Sequence, residues 1–426
     1  MKHVLVVQLA RFGDLVQTKR LILSLCARPD TQVHLCLDSS LEPLARLVYP
    51  KVVTHPLAAH GTGLATAGPE ALFTAMLNGN RRAFAGLTAQ RFEAVYNLNR
   101  SPLNLALASL FDPGQVRGYA WRHGQPLQGP WPELAMRWSG QRRLGINLVD
   151  FWGHFTTSPV PPETVNPLAM PGGGGVGVVL AGRESRRSLP PEVLARIAAA
   201  AYEHTGRGRL LLLGSKAEIP AAKAVLRALP GRLTDKVTDL SGQTDWAGLV
   251  DALSGMDRVL TPDTGTMHLA AHLGVPVTAF FLSSAWCFET GPYGQGHTVH
   301  QAVLDCLPCL ESRPCHLEHL CLTPFADPGF VRFLVTGKSE HAPKDILSLR
   351  AGFDVLGQTY ASVAGEDADR EQRLRFRAFL SRHLGLPDAE KGVPDTGLAE
   401  RFYQERDWFV QKKQLISNNR KSLDFF

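Results

Sequence analysis

The chain of 426 residues lacks a long apolar run. No stretch approaches the roughly 18 residues that a membrane-spanning helix needs. The N-terminal sequence MKHVLVVQLARFGD meets charge at Arg11 and Asp14, so it also lacks the longer apolar segment and the cleavage site of a signal peptide. We therefore expect a cytoplasmic protein and leave open a peripheral contact with the inner face of the cytoplasmic membrane.

A disulfide framework is also missing, because seven cysteines are an odd number in a long chain. Cys306, Cys309, Cys315 and Cys321 cluster in DCLPCLESRPCHLEHLC. One Cys-x-x-Cys pair with two further cysteines could bind a structural zinc ion. Scattered reduced thiols explain the same spacing, so we assign no metal ligand.

The sequence contains no concentrated basic run interleaved with aromatic residues, and no zinc-finger or RRM signature. We therefore expect no nucleic-acid partner. The balance of 45 basic against 39 acidic residues gives a formal net charge of +6. This modest excess favours anionic partners such as sugar nucleotides or phosphorylated lipids.

Short apolar runs alternate with segments of helical spacing along most of the chain. In the first part, predicted strands at 4–7, 33–37 and 94–98 alternate with helical segments such as 41–48. After residue 175 the pattern restarts with four strands and four helices, among them a helix at 191–202 and a strand at 209–213, and it ends in a strand at 275–281. Such alternation predicts parallel sheets with crossover helices.

A segment rich in proline and glycine, VPPETVNPLAMPGGGG, separates the two patterns and can form neither a helix nor a central strand. We predict an α/β protein with Rossmann-like domains at 1–165 and 176–325, a hinge at 166–175 and a helical C-terminal extension at 326–426. The extension includes DREQRLRFRAFLSRHLG, a charged amphipathic helix. Two such domains would bind a ligand in the cleft between them.

The segment PDTGTMHLAAHLGVPVTAFF carries the clearest functional signal. A predicted strand ends at Thr261 and a helix begins near Thr266, so the helix N-terminus would offer N–H groups and a positive dipole to an anion. The residues expected to bind a diphosphate there are Asp263, Thr264, Gly265, Thr266 and His268. Simple capping of the helix by Asp263 or Thr264 is the alternative.

Two other functions of this segment are disfavoured. An aspartic protease needs two carboxylates that share a proton, and Asp-Thr-Gly occurs once. His268 and His272 share a helix face, as two zinc ligands would, but no third ligand is evident.

Three further charged positions follow predicted strands. Arg187 lies in AGRESRRSLPPE with Arg183 and Arg186, where guanidinium groups could bind phosphate oxygens. Glu218, in LLLGSKAE, could accept ribose hydroxyls or simply begin a helix. Gly13 and Asp14 precede the first helix, whose dipole would keep Asp14 ionised as a general base, although an N-terminal cap explains it equally well.

Taken together, these segments resemble glycosyltransferase family 9, the ADP-heptose:lipopolysaccharide heptosyltransferases. VLVVQLARFGDLVQT, VYNLNRSPLNLAL, DLSGQTDWAGLVDAL and above all PDTGTMHLAAHLGVPVTAFF carry the resemblance, which spans about 3–325. It implies the two-domain GT-B fold and inverting heptosyl transfer without a metal ion or cofactor, from an ADP-linked sugar to a lipopolysaccharide core or another anionic lipid-linked glycan.

By the same resemblance, Asp14 corresponds to the catalytic base, and Arg187 stands where the family usually has a phosphate-binding lysine. The donor-binding positions of the family correspond to Glu218, Asp263, Thr264, Gly265 and His268, and we expect Gly13 and Thr266 to bind the donor as well. The sequence departs from the family at Lys19 and Arg20, where a proline is common, and at Leu189, where a tryptophan is common. A protein acceptor, a GT-B-like sugar-nucleotide epimerase and a non-catalytic nucleotide-binding protein remain alternatives.

Overall fold

A computed structural model describes residues 1–59, 69–122, 125–139, 143, 145–180, 185–206, 208–310, 313–386 and 397. The first sheet contains β1 (Lys2–Gln8), β2 (Thr31–Asp38), β3 (Val53–Leu57), β4 (Phe92–Asn97), β5 (Val116–Arg122) and β6 (Gln125–Gln128). Their order is β3-β2-β1-β4-β5-β6, and all neighbours are parallel except β5 and β6. Residues 4–7 of β1 are all buried, as expected for a central parallel strand covered on both faces.

The helices of this first domain are α1 (Phe12–Gln17), α2 (Lys19–Cys26), α3 (Glu42–Val48), α4 (Pro69–Thr88), α5 (Pro102–Ala108), α6 (Pro130–Ser139) and α7 (Leu148–Gly153). The single helix expected after β1 is divided at Thr18. Its hydroxyl donates to the carbonyl of Asp14 at 2.8 Å, a back-bond that bends helices.

The second sheet contains β7 (Gly175–Val179), β8 (Arg209–Leu213), β9 (Val237–Asp239), β10 (Arg258–Pro262), β11 (Val277–Phe281), β12 (Thr298–Ala302), β13 (Ile346–Phe353) and β14 (Gln358–Ala364). Their order is β14-β13-β12-β11-β10-β7-β8-β9. The strands from β7 to β12 pair in parallel, whereas β13 and β14 are antiparallel additions.

The helices of the second half are α8 (Pro191–His204), α9 (Ile219–Ala228), α10 (Trp246–Leu253), α11 (Gly265–His272), α12 (Cys287–Thr290), α13 (Thr323–Ala326), α14 (Pro328–Thr336) and α15 (Arg370–His383). The predicted α/β architecture with two parallel-rich sheets is confirmed. The strand predicted at Arg209–Leu213 has the observed bounds, and α11 begins one residue earlier than expected.

In each sheet, the strands are added first on one side of the first strand and then on its other side. The chain proceeds from β1 to β2 and β3 on one side and then continues with β4 on the other. In the second sheet it proceeds from β7 to β8 and β9 and then continues with β10 on the opposite side of β7. Ligands of doubly wound folds bind beyond the carboxyl ends of the strands at such a point. Asp14 follows β1, and the turn at Asp263 follows β10.

The C-terminal segment combines strands and helices. The helix predicted in DREQRLRFRAFLSRHLG is present as α15, whose Phe376 and Leu380 pack in one apolar cluster with Trp131 and Phe151 of the first domain. The extension predicted as helical also contains β13 and β14, which the sequence did not predict. They add to the edge of the second sheet at β12.

A buried cluster of polar side chains joins the two halves. The carboxylate of Asp150 accepts hydrogen bonds from Arg20, from the hydroxyl of Tyr293 and from the backbone N–H of Gln358, each at 2.6 Å. Arg20 and Asp150 come from α2 and α7, whereas Tyr293 and Gln358 belong to the second half. These contacts fix the first helices of the chain against the second sheet.

The glycine-rich segment packs against the second domain. The N–H groups of Gly173 and Gly175 donate to the carboxylate of Asp257 at 2.7 and 2.8 Å. These glycines therefore bind a carboxylate of their own chain and lead into β7, which favours a linker over a phosphate loop. The hinge at 166–175 and the domain bounds stay predictions.

Candidate active site

Asp14 lies in the first turn of α1, immediately beyond the end of β1. Its carboxylate accepts a hydrogen bond from the backbone N–H of Arg11 at 3.1 Å. Burial raises the pKa of Asp14 above its ordinary value of 3.8, and the Arg11 N–H and charge oppose this rise. Asp14 therefore takes part in capping from the third helical position, and the prediction that it precedes the helix as the N-cap residue is wrong. Burial has the largest effect on the pKa of this carboxyl, and its ionisation by the helix dipole stays a prediction.

Helix α1 of the first domain touches the start of α11 in the second. A β-carbon added to Gly13 would lie 3.4 Å from Cδ2 of His268 and 3.7 Å from Cα of Gly265. A β-carbon on Gly265 would lie only 2.1 Å from the ring of Phe12. Glycine at 265 thus permits a close approach that any side chain would block. The two predicted halves of the site, at Asp14 and at Gly265, are neighbours in the fold.

Asp263 and Arg187 form an ion pair within the second domain, with Nη2 of Arg187 2.5 Å from Oδ2 of Asp263. The side chains are 14% and 9% exposed, respectively. Oδ2 of Asp263 also accepts a hydrogen bond from the hydroxyl of Thr290 at 3.0 Å. Burial raises the pKa of Asp263, the charge of Arg187 opposes that rise, and the nearby Asp14 adds to it. The carboxylate of Asp263 therefore fixes the position of the Arg187 guanidinium, whose positive charge balances its own negative charge.

Thr264 caps α11. Its hydroxyl accepts from the backbone N–H of Met267 at 3.3 Å, and its carbonyl accepts from the N–H of His268 at 3.4 Å. Capping, which the sequence left as an alternative, is thus observed for Thr264. These two bonds do not use the N–H groups of Gly265 and Thr266, which belong to the positive end of the helix.

His268 is buried in the first turn of α11, and burial lowers its pKa from 6.5 to about 4. The imidazole is therefore neutral at physiological pH. A neutral ring donates one hydrogen bond and brings no positive charge to the site.

A cavity of about 460 Å³ lies beside these residues. This volume is typical of a small-ligand site. Its described lining combines apolar and polar groups from the start of α1, from the ends of β7, β8 and β10 with the segments that follow them, and from α10 with the residues before it: Phe12, Val179, Leu213, Gly214, Ser215, Glu218, Thr244, Asp245, Trp246, Leu249, Thr264, Gly265 and Thr266. The structure thus brings Glu218, Thr264, Gly265 and Thr266 to one cavity.

Glu218 occupies this cavity wall while capping a short helical turn. Its Oε2 accepts from the backbone N–H of Ser215 at 2.6 Å. Both interpretations of Glu218, as an acceptor of ribose hydroxyls and as a helix start, therefore fit its position.

The two other arginines of AGRESRRSLPPE do not add to the described site. Arg186 is directed elsewhere, because its Nη1 donates to the carbonyl of Arg313 at 2.9 Å. Arg183 lies outside the described residues.

Side chains that were not predicted as site residues hold α1 and α2 in position. Gln8, at the end of β1, donates to the hydroxyl of Thr18 at 3.1 Å and accepts from Asn99. Nζ of Lys19 lies 2.7 Å from Nδ1 of His272 and 2.7 Å from Oδ1 of Asn166. Lys19 had only been noted as a departure from the family. Its contact ties α2 to the carboxyl end of α11.

The cysteine cluster does not support the zinc alternative. Within the described ranges, which leave out residues 311 and 312, no group of three or more His, Cys, Asp or Glu side chains is placed to hold a metal ion. None of the seven cysteines forms a disulfide bond, and burial raises the pKa values of Cys309 and Cys321. Among the helices of the described part, none is long and apolar enough to cross a bilayer.

The model of the family described as glycosyltransferase family 9 (heptosyltransferase) matches residues 194–320. The resemblance inferred from the motifs, and with it the classification as a glycosyltransferase, is confirmed over this segment. The matched segment contains Glu218 and the turn from Asp263 to His268, whereas Asp14 and Arg187 lie outside it.

A curated relative is lipooligosaccharide heptosyltransferase 2 of Haemophilus influenzae. It is 33% identical over 70 residues, which cover 16% of this chain. The chain therefore matches about a fifth (20%) of the length of that relative. The local identity supports the family assignment of the second domain and carries no statement about the whole protein.

Solved structures show the fold. The structure of Escherichia coli ADP-heptose lipopolysaccharide heptosyltransferase II has a TM-score of 0.51 and 17% identity, covering 72% of this chain and 91% of that one. The E. coli heptosyltransferase WaaC with ADP has a TM-score of 0.52 and 17% identity, covering 70% of this chain and 93% of that one. These matches confirm the predicted GT-B architecture.

Proposed function

We propose that this protein is an inverting, metal-independent glycosyltransferase that transfers heptose from an ADP-linked donor to a lipopolysaccharide core acceptor. One observation carries the proposal: the helix that bears Asp14 meets the N-terminus of α11, so a carboxylate of the first domain and a helix N-terminus of the second lie close together. The family of residues 194–320, and the ADP named for the solved WaaC structure, support the choice of donor.

The donor would occupy the cavity of about 460 Å³ at the end of the second sheet. Its diphosphate would lie at the start of α11, where the N–H groups of Gly265 and Thr266 and the helix dipole stabilise negative charge. His268 would donate one hydrogen bond to the same group. Glu218, which lines the same cavity, would accept a hydrogen bond from the ribose.

Asp14 would act as the general base. It removes the proton from an acceptor hydroxyl, whose oxygen then attacks the anomeric carbon on the face opposite the diphosphate. The bond from that carbon to the diphosphate oxygen breaks as the new glycosidic bond forms, and the configuration inverts. The raised pKa of Asp14 suits a base that must bind a proton in the transition state.

The leaving diphosphate would be stabilised by fixed dipoles and by Arg187. Because Asp263 already balances the charge of Arg187, we assign the main stabilisation to the end of α11 and a smaller one to the guanidinium. The formal charge of +6 would favour an anionic acceptor, and we extend the proposal to action at the cytoplasmic face of a membrane.

The test is transfer of a radiolabelled heptose from its ADP-linked form, with and without a chelator, to three samples: lipopolysaccharide core, candidate protein acceptors and buffer. We expect label in the core fraction, an inverted anomeric configuration by NMR and unchanged rates with the chelator. Label in protein alone would replace the acceptor. Rearranged donor in buffer would favour an epimerase, and intact donor in all samples would favour a non-catalytic binding protein.

A further inference from the structure

Phe12 belongs to the first domain but faces the cavity of the second. It is the first residue of α1, and every other described residue that lines the cavity comes from position 179 or later. Its ring lies against the backbone of Gly265, where an added β-carbon would be 2.1 Å away. A side chain of the first domain therefore completes the wall of the proposed donor site.

Trp246 lies next to Phe12 in the same wall. The two ring centroids are 4.8 Å apart with an interplanar angle of 67°, an edge-to-face arrangement. Trp246 opens α10, where Asp245 caps the helix by accepting from the N–H of Gly248 at 2.8 Å. The indole N–H reaches across the domains to the carbonyl of Ser40 at 3.1 Å. The pair therefore has a fixed orientation set by both domains.

We propose that Phe12 and Trp246 form an aromatic wall that contacts the base of the donor nucleotide. The inference rests on the proposed function and deepens it: recognition of the base becomes a joint property of the two domains. The diphosphate binds at Gly265, the ribose lies towards Glu218, and the base packs against the two rings beside Leu249 and Leu213. Asp14 lies two residues after Phe12 on α1, so an occupied base pocket also fixes the helix that bears the base catalyst.

The test compares two ligands by titration calorimetry. The wild type and the Phe12→Ala variant are titrated with ADP and with inorganic pyrophosphate, which lacks a base. Since stacking of one base on an aromatic side chain contributes about 1–3 kcal/mol, the variant should bind ADP roughly 5- to 150-fold more weakly. Its affinity for pyrophosphate should equal that of the wild type.

Two further variants guard against a general effect on packing. Phe111→Ala removes another partly buried phenylalanine of the first domain, which packs edge-to-face on Phe92 at 5.7 Å and does not line the cavity. It should leave both affinities unchanged. Phe12→Tyr keeps the ring and should bind ADP as the wild type does.

Fluorescence tests the other ring of the wall. ADP should quench the wild-type tryptophan fluorescence, and Trp246→Phe should remove that quenching while the other six of the seven tryptophans remain.

Equal losses for ADP and pyrophosphate in Phe12→Ala would overturn the inference, because Phe12 would then act only through the turn at Gly265. Unchanged affinity for both ligands would overturn it as well. If the wild type itself bound pyrophosphate but not ADP, the proposed donor would be wrong, and that outcome is visible without any variant.

Discussion

Two strand-to-helix connections of this protein each carry an aspartate, in different surroundings. Asp14 lies in the first turn of α1, after β1, whereas Asp263 lies between the end of β10 and the start of α11. Burial raises the pKa of both. Asp263, however, is paired with Arg187 and Thr290, whereas the contact described for Asp14 is a backbone N–H.

These different surroundings determine which of the two carboxylates can accept a proton. A carboxylate held by a guanidinium has its charge neutralised and its geometry fixed, so it is a poor proton acceptor. A carboxylate that is desolvated without a cationic partner in contact is more basic. We therefore assign the proton transfer to Asp14 and a positioning role to Asp263.

The largest expected effect comes from removing the base. Asp14→Asn keeps the shape of the side chain but cannot accept a proton, so turnover should fall by roughly a hundred to ten thousandfold. The affinity for ADP, measured by calorimetry, should stay within twofold of the wild type. The exposed Asp235 provides a control, because Asp235→Asn should change neither quantity. Near-normal turnover in Asp14→Asn would remove this residue from the mechanism.

Breaking the ion pair between Arg187 and Asp263 should lower both the stability of the protein and its affinity for ADP. Arg187→Ala leaves the Asp263 carboxylate buried without its partner, which should lower the free energy of unfolding by about 3–5 kcal/mol. ADP should also bind more weakly. Chemical denaturation and calorimetry measure the two effects.

The double variant Arg187→Gln with Asp263→Asn separates these effects. It removes both charges, so most of the stability should return while the affinity for ADP stays low. If the double variant bound ADP as tightly as the wild type, Arg187 would have no part in holding the diphosphate.

The contact between the turns can be tested with two glycines. Gly265→Ala places a β-carbon 2.1 Å from the Phe12 ring, whereas Gly13→Ala meets His268 at an ordinary 3.4 Å. We expect Gly265→Ala to cost about 1–3 kcal/mol of stability and to weaken ADP binding. Gly13→Ala should be close to neutral in thermal unfolding. Equal behaviour of the two variants would mean that the helices do not touch in solution.

The smallest effect concerns pH. Because the pKa of Asp14 is raised above 3.8, the carboxylate becomes protonated at a higher pH than an ordinary aspartate. The value of kcat/KM should therefore fall with unit slope as pH decreases through a midpoint above 3.8. Asp14→Asn should lack this acid limb. An unchanged limb in the variant would assign the titration to another group.

Much of the scaffold was predictable because its signals are local. The strand at Arg209–Leu213 and the helix starting at Pro191 are continuous apolar runs or helical repeats bounded by glycine or proline. The strands β13 and β14 pair as a local hairpin around residues 354–357, and they were missed because the segment after residue 326 was predicted to be helical. The pairing of β13 with the distant β12 leaves no local pattern.

The candidate site was predictable in its residue types and less so in its contacts. The motif around Gly265 predicted the anion site, because glycine and threonine at a strand-to-helix turn indicate exposed N–H groups from the local sequence alone. The pairing of Arg187 with Asp263 spans 76 positions, and no local pattern signals it. The contact between Phe12 and Trp246 was missed for the same reason, although each residue stands in a segment that carries the family resemblance.

By itself, the sequence determined the alternation of strands and helices, the family of residues 194–320 and the chemical groups available at each turn, because these depend on neighbours within a few residues. Only the tertiary structure decided which aspartate is paired, that α1 meets α11, and that a phenylalanine of one domain closes the cavity of the other. Those outcomes depend on burial and on contacts between distant segments, which exist only once the two sheets have packed together.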